Sequence, residues 1–204
     1  MAGIRTFLAV GISRDVKRRI EQYLRSAVDR AGDSVRWTPA VRWHVTLVFL
    51  GDLASDEVVH VCRAAAEVGT TAPAFDWKVS PLGAFPNPER PRVIWVGVED
   101  IDKRMLQLHR SLVDELEKRG IVPEDRPFRP HITVGRTVRG EPLPPSMKEL
   151  LLSPPGWAGP IEHADALAVM SSSLDRREAE YSILTSVPLE GDADPERKES
   201  VCDD

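Results

Sequence analysis

Two short words hold the residues best suited to chemistry. The first is His44-Val45-Thr46-Leu47-Val48-Phe49, and the second is His131-Ile132-Thr133-Val134-Gly135-Arg136. Both read His-apolar-Thr-apolar, in residues that favour strands. A strand turns successive side chains to opposite faces, so His and Thr two apart point the same way. Each word therefore presents an imidazole beside a hydroxyl. Free imidazole titrates near about pH 6.5, so one ring can be neutral while another is protonated. Two such rings on opposite sides of a phosphate can act as base and acid in one displacement. Hydroxyls and a guanidinium would hold the non-bridging oxygens.

The elements around the words repeat in order. Ile4 to Val10 reads as a strand. Ser13 is a candidate cap for a helix carrying Val16, Ile20, Tyr23, Leu24, Ala27 and Val28 at helical spacing. Trp37-Thr38-Pro39 breaks the chain before the first His strand, and Gly51-Asp52 ends that strand. Ser55 is a candidate cap for a second helix, with Val58, Val59, Cys62, Ala65 and Ala66 inward, and Phe75 to Leu82 reads as a strand. After a proline-rich loop the order recurs. Arg92 to Val98 is a strand, Ile101, Met105, Leu108, Leu112 and Leu116 mark a helix, and Gly120 stops it. The second His strand follows, then a short helix at 146–152 and strands near 164–171 and 181–188. The expected fold is α+β in two pseudo-symmetric lobes. Each lobe is an antiparallel sheet with helices outside, and the two flank a central cleft. A single bilobal domain over 1–189 is expected, with duplicated halves at about 4–82 and 92–188. The acidic stretch 190–204 reads as a disordered tail.

The chain has 204 residues and a net charge of −5, so bulk charge does not draw it to nucleic acid. A nucleic-acid partner must meet a local basic site. Arginine outnumbers lysine, 21 to 6, and its planar fork suits phosphate oxygens. The two cysteines, Cys62 and Cys202, form neither a disulfide framework nor a zinc spacing. No secretory leader or membrane span is evident. These features point to a cytoplasmic protein, monomeric, with no obligate protein partner.

The acid–base scheme needs no metal or other cofactor. Two histidines without a third ligand at suitable spacing make a poor zinc set. His60, His109 and His163 read as structural or surface residues, and Ser171-Ser172-Ser173 as a strand end without a nucleophile elbow. Arg42 shares strand parity with His44 and is a candidate substrate-binding residue. Arg136 has the parity of Ile132 and Val134, so it reaches the site only if the strand bulges near Gly135. By the same parity Val48 joins His44 and Thr46 on the polar face. Trp37, Trp43, Phe49 and Trp95 could stack on a base, with core packing the favoured role for Phe49 and Trp95.

Longer motifs extend the two words. They are Arg5-Thr6-Phe7-Leu8-Ala9-Val10, Val35-Arg36-Trp37, Phe49-Leu50-Gly51, Phe85-Pro86-Asn87-Pro88, Arg90-Pro91-Arg92-Val93-Ile94-Trp95 and Pro127-Phe128-Arg129-Pro130. Together they resemble the two-histidine phosphoesterase superfamily. Within it they resemble the RNA 2′,3′-cyclic phosphodiesterases once called 2′-5′ RNA ligases, over about residues 4–189. The resemblance implies hydrolysis of an RNA-terminal 2′,3′-cyclic phosphate to a 2′-phosphate. His44 would be proton donor and His131 proton acceptor, Thr46 and Thr133 would bind phosphate, and Arg136 matches a family arginine. Arg42-Trp43 departs from the family's usual polar-apolar pair. RNA ends or small cyclic nucleotides are the implied ligands. The alternatives are a phosphodiesterase for another 2′,3′-cyclic or 2′-5′ nucleotide, and a nucleotide- or RNA-binding module without turnover.

Overall fold

A computed structural model describes residues 3–174 and 179–191. Thirteen elements follow along the described chain: β1 (Ile4–Val10), α1 (Arg14–Ala31), β2 (Val35–Trp37), β3 (Val45–Leu53), α2 (Ser55–Thr71), β4 (Phe75–Phe85), β5 (Val93–Glu99), α3 (Arg104–Lys118), β6 (His131–Thr137), α4 (Pro145–Leu152), β7 (Ile161–Ala164), β8 (Ala166–Leu174) and β9 (Ala179–Pro188). The α+β class agrees with the pattern. Two strands escaped it: β2 is too short to show a period, and β7 follows a loop rich in Pro and Gly.

The helices form where an apolar stripe meets a start signal. The Ser13 hydroxyl accepts the Val16 N–H at 3.3 Å, and Val16, Ile20, Leu24, Ala27 and Ala31 bury one stripe of α1. Val28 instead faces out. In α2, Ser55 is the first helical residue rather than the cap, and the Glu57 carboxylate accepts the Ala54 N–H at 2.7 Å. The buried stripe is Val61, Ala64, Ala65 and Val68, while Val59 and Ala66 point to solvent. For α3 the start lies beyond Ile101, which is exposed. The Asp100 carboxylate accepts the N–H groups of Met105 and Leu106 at 3.1 and 2.9 Å. It satisfies donors that the first turn leaves open. Gly120, at φ 74°, ends the helix as expected.

The described strands form one continuous sheet in the order β7-β4-β5-β6-β3-β1-β8-β9, with β2 alongside β6. Every named strand pair is antiparallel. The order is symmetric about the β6–β3 junction, so two four-stranded halves face each other. They do not coincide with the sequence halves 4–82 and 92–188. Each sequence half keeps its first strand and its His strand; the first sends β4 to the other side, and the second sends β8 with β9. Thus β4 pairs with β5, and β8 pairs with β1. The helices obey the same two-fold relation: α2 packs on α3, and α1 on α4. The halves are joined through one bridge between β3 and β6, Val45 opposite Ile132. Leu8, Ile20, Trp77, Ile94, Met105, Leu112 and Ile132 are fully buried between sheet and helices. Glu190 and Gly191, placed in the predicted tail, are tied back to Gly69 and Ala72 by backbone hydrogen bonds. The rest of that tail, with Cys202, lies outside the described residues.

Gly83 on β4 stands opposite Trp95 on β5. A Cβ there would come within 2.2 Å of the Trp95 ring. Gly83→Ala should therefore destabilise the protein by about 1–3 kcal/mol through overpacking. The midpoint of urea unfolding measures this, and an unchanged midpoint would contradict the packing.

Candidate active site

The Val45–Ile132 bridge decides what meets in the cleft. His44 and Thr46 flank Val45, and His131 and Thr133 flank Ile132. Val45 and Ile132 are fully buried, so their chain neighbours turn to the opposite, open face. His44, Thr46, His131 and Thr133 line one cavity of about 360 Å³, together with Arg42, Arg136, Arg5, Tyr181 and others.

Both imidazoles are held alike. His44 Nδ1 lies 2.8 Å from the Arg42 carbonyl oxygen, and His131 Nδ1 lies 2.7 Å from that of Arg129. A carbonyl only accepts, so each Nδ1 carries the hydrogen. Each Nε2 is then an acceptor in the neutral ring and a donor in the cation. Aromatic side chains hold both rings. Phe7 stacks on His44 at 5.0 Å and Tyr181 meets it edge-on at 5.3 Å. Phe85 meets His131 edge-on at 5.0 Å, with Trp95 at 6.3 Å. Trp95 lies opposite Thr133 on the neighbouring strand, where the other half has Ala9 opposite Thr46, so the two aromatic enclosures are not built from equivalent residues.

Burial pushes both imidazoles below the ordinary histidine value, and the hydrogen bonds to carbonyls oppose it. The positive charges of His131 and Lys17 lower His44 further, and that of Arg136 lowers His131. Thr46 and Thr133 are half-buried. Among the described residues neither hydroxyl has a hydrogen-bond partner, whereas Thr6 and Thr137 bond backbone carbonyls.

Bulges settle the question of parity. On β6, Gly135 is opposite Ile94 and Thr133 opposite Trp95, so Val134 is an extra residue. Val134 and Gly135 are consecutively buried, and Arg136 returns to the cleft side, where it lines the cavity. A regular strand would have turned it away. The same device follows the first word. Thr46 is opposite Ala9 and Val48 opposite Leu8, leaving Leu47 extra. Val48 therefore enters the core, and Phe49, read as core from parity, lies in the cleft at 37% exposure. Phe49 and Arg136 are thus equivalent positions, five residues after their histidines.

Other readings shift as well. Trp43 is buried and its indole N–H donates to the Thr38 carbonyl at 2.9 Å, so it does not stack on a ligand. Trp37 packs over Gly135. Ser172 lies within β8, not at its end, and lines the cavity with Arg5, Phe7 and Tyr181. These residues come from strands whose approach to the His words is set by sheet order, which no local pattern reveals. His163 sits in β7 and its Nδ1 is 2.7 Å from Asp76 Oδ1 on β4.

His109 does more than cover a helix face. Its Nδ1 donates to the carbonyl of Leu47, the bulged residue, at 2.9 Å. Its ring stacks on Phe128 at 4.2 Å and 7°, three residues before His131. It ties both His-bearing segments to α3. His109→Leu leaves that half-buried carbonyl unpaired, which costs about 1–3 kcal/mol. Urea denaturation of native, His109→Leu and His109→Gln proteins checks this. The Gln variant should recover part of the loss through its amide donor.

A curled antiparallel sheet with helices packed in symmetric pairs, and His-x-Thr words facing across its centre, defines a two-histidine phosphoesterase. The chain belongs to the LigT-like phosphoesterase family, whose pattern matches residues 10–95 and 96–153. A relative from Thermotoga maritima, named RNA 2′,3′-cyclic phosphodiesterase, is 30% identical over 189 residues, 92% of this chain and 97% of the relative. A relative of the same name from Methanothermobacter thermautotrophicus is 34% identical over 151 residues, 72% of this chain and 78% of the relative. A solved structure from Thermus thermophilus superposes with a TM-score of 0.78 at 24% identity, covering 93% of this chain and all of that one. Escherichia coli LigT complexed with 3′-AMP gives a TM-score of 0.72 at 21% identity, covering 93% and 99%.

Proposed function

We propose that this chain hydrolyses the 2′,3′-cyclic phosphate at an RNA end to a 2′-phosphomonoester. The carrying observation is the identical mounting of two imidazoles, each fixed through Nδ1 with Nε2 left to the shared cavity. His131 Nε2 takes a proton from water as the water oxygen bonds to phosphorus. The bond from phosphorus to O3′ breaks, and His44 returns a proton to that oxygen. The identity of donor and acceptor follows the family, because the two words are alike. Thr46 and Thr133 donate to the non-bridging oxygens. Arg136, and Arg42 at the cleft edge, offset the charge that grows on them. With a 5′-hydroxyl in place of water, His131 would take the hydroxyl proton as that oxygen bonds to phosphorus, His44 would protonate the departing O3′, and a 2′-5′ linkage would result. Acid and base are both supplied by side chains, so the scheme requires no metal.

The test is incubation with an oligonucleotide ending in a 2′,3′-cyclic phosphate, in EDTA. The expected product is the 2′-phosphate. His44→Ala and His131→Ala should each lower turnover by about 10²–10⁴-fold, the usual weight of general acid–base catalysis. No product from the native protein, or full activity in either variant, would refute the scheme. Binding that persists in the native protein without turnover would favour the module reading.

The pH dependence follows from the lowered imidazoles. The reaction needs one ring protonated and one neutral, so kcat/KM is greatest between the two apparent values for the free enzyme. Burial places both below the ordinary value of about 6.5. The profile should be bell-shaped with its maximum on the acid side of about pH 6.5, and should fall as pH rises and the acid deprotonates. A maximum in the alkaline range would contradict this.

A further inference from the structure

A second depression opens beside the catalytic cavity. It encloses about 700 Å³ and shares Thr46, Phe49, His131, Thr133 and Arg136 with its neighbour. His131 lines it and His44 does not. Its volume is within the range that takes a ligand of nucleotide size, and far beyond the roughly 30 Å³ of one water.

Its walls carry both guanidinium groups and rings. The Arg126 guanidinium lies 5.7 Å from the centre of the Phe49 ring and pairs with Glu124 at 2.7 Å. Its side chain is still 67% exposed, so the outer face of that plane is open. Arg129 lines the same groove, as does the His109–Phe128 stack. Glu117, Glu124 and Asp125 also line it. The three arginines are therefore balanced, and net charge does not make it a general phosphate trap. The local order of planes and charges favours something that carries both a ring and a phosphate. Bases stack well on arginine planes and on aromatic faces, at about 1–3 kcal/mol per base.

We propose that this groove binds the nucleotide that precedes the cyclic phosphate in an RNA chain. Its base stacks on the Arg126–Phe49 layer, and the internucleotide phosphate meets Arg129 or Arg126. The proposal rests on the cyclic phosphodiesterase reading and adds a reason for choosing an RNA end over a single nucleotide.

The test compares kcat/KM for a 2′,3′-cyclic mononucleotide with that for a dinucleotide ending in the same cyclic nucleotide. The dinucleotide should be favoured about ten-fold or more, the equivalent of about 1.4 kcal/mol. Arg126→Gln, and Val122→Glu at a groove residue 77% exposed, should lower the dinucleotide value much more than the mononucleotide value. The expected preference in each is below about three-fold. Equal values in the native protein would overturn the proposal, as would a preference that survives both variants or an equal loss on both substrates. A mononucleotide carrying a 5′-phosphate serves as the control. If it reproduces the whole gain, the groove reads phosphate alone and the base subsite is refuted. Failure on every cyclic substrate would instead refute the phosphodiesterase reading, and the subsite with it.

Discussion

The pairing of Val45 with Ile132 is the constraint on which the cleft depends. It is a small contact, the one bridge between the two His strands of halves that build most of their ladders internally. Yet it sets the register of everything that can react. Both residues are wholly buried apolar side chains. A slip of one residue would put imidazoles into the core and valine or isoleucine into the cleft. The burial of Val45 and Ile132 therefore holds the four polar side chains on the open face. The surrounding order protects that register, since β2 also reaches across to pair with β6.

Two bulges then break the regular alternation at matched places, directly after Thr46 and Thr133. Each lets two consecutive residues enter the core and brings the next one back to the cleft. One half thereby gains Phe49 and the other gains Arg136. The backbone is close to two-fold symmetric, while the side chains at the equivalent positions are a ring and a cation. That difference gives the site a direction. The Arg136 charge lies against His131, whereas His44 is enclosed by Phe7 and Tyr181.

The electrostatics are local. The chain as a whole is acidic, but among the described residues Arg5, Arg42 and Arg136 line the cavity against the single carboxylate of Glu124. Burial keeps the imidazoles weakly basic, helped by the charges of His131 and Lys17 at His44 and of Arg136 at His131, and the carbonyls of Arg42 and Arg129 fix which nitrogen faces the cavity. An imidazole mounted this way exchanges a proton through one atom only. His109 extends the same logic outward, because it anchors the Leu47 bulge and the Phe128 loop to one helix.

The sequence by itself determined which side chains share the polar face of each His-x-Thr word, most of the strand and helix order and the α+β class. Those properties are local: a two-residue period, a helical stripe, a cap, a repeated word. His44, Thr46, His131 and Thr133 were legible because each word puts its polar pair on the face opposite an apolar one. Only the tertiary structure decided the exchange of β4 and β8 between halves, and with it the arrival of Tyr181 and Ser172 beside His44 and of Phe85 beside His131. It also reversed the parity of Phe49, Val48 and Arg136. A bulge is a mismatch between two paired strands, fixed by how each packs on its partner, and a single strand's sequence holds only half of that information.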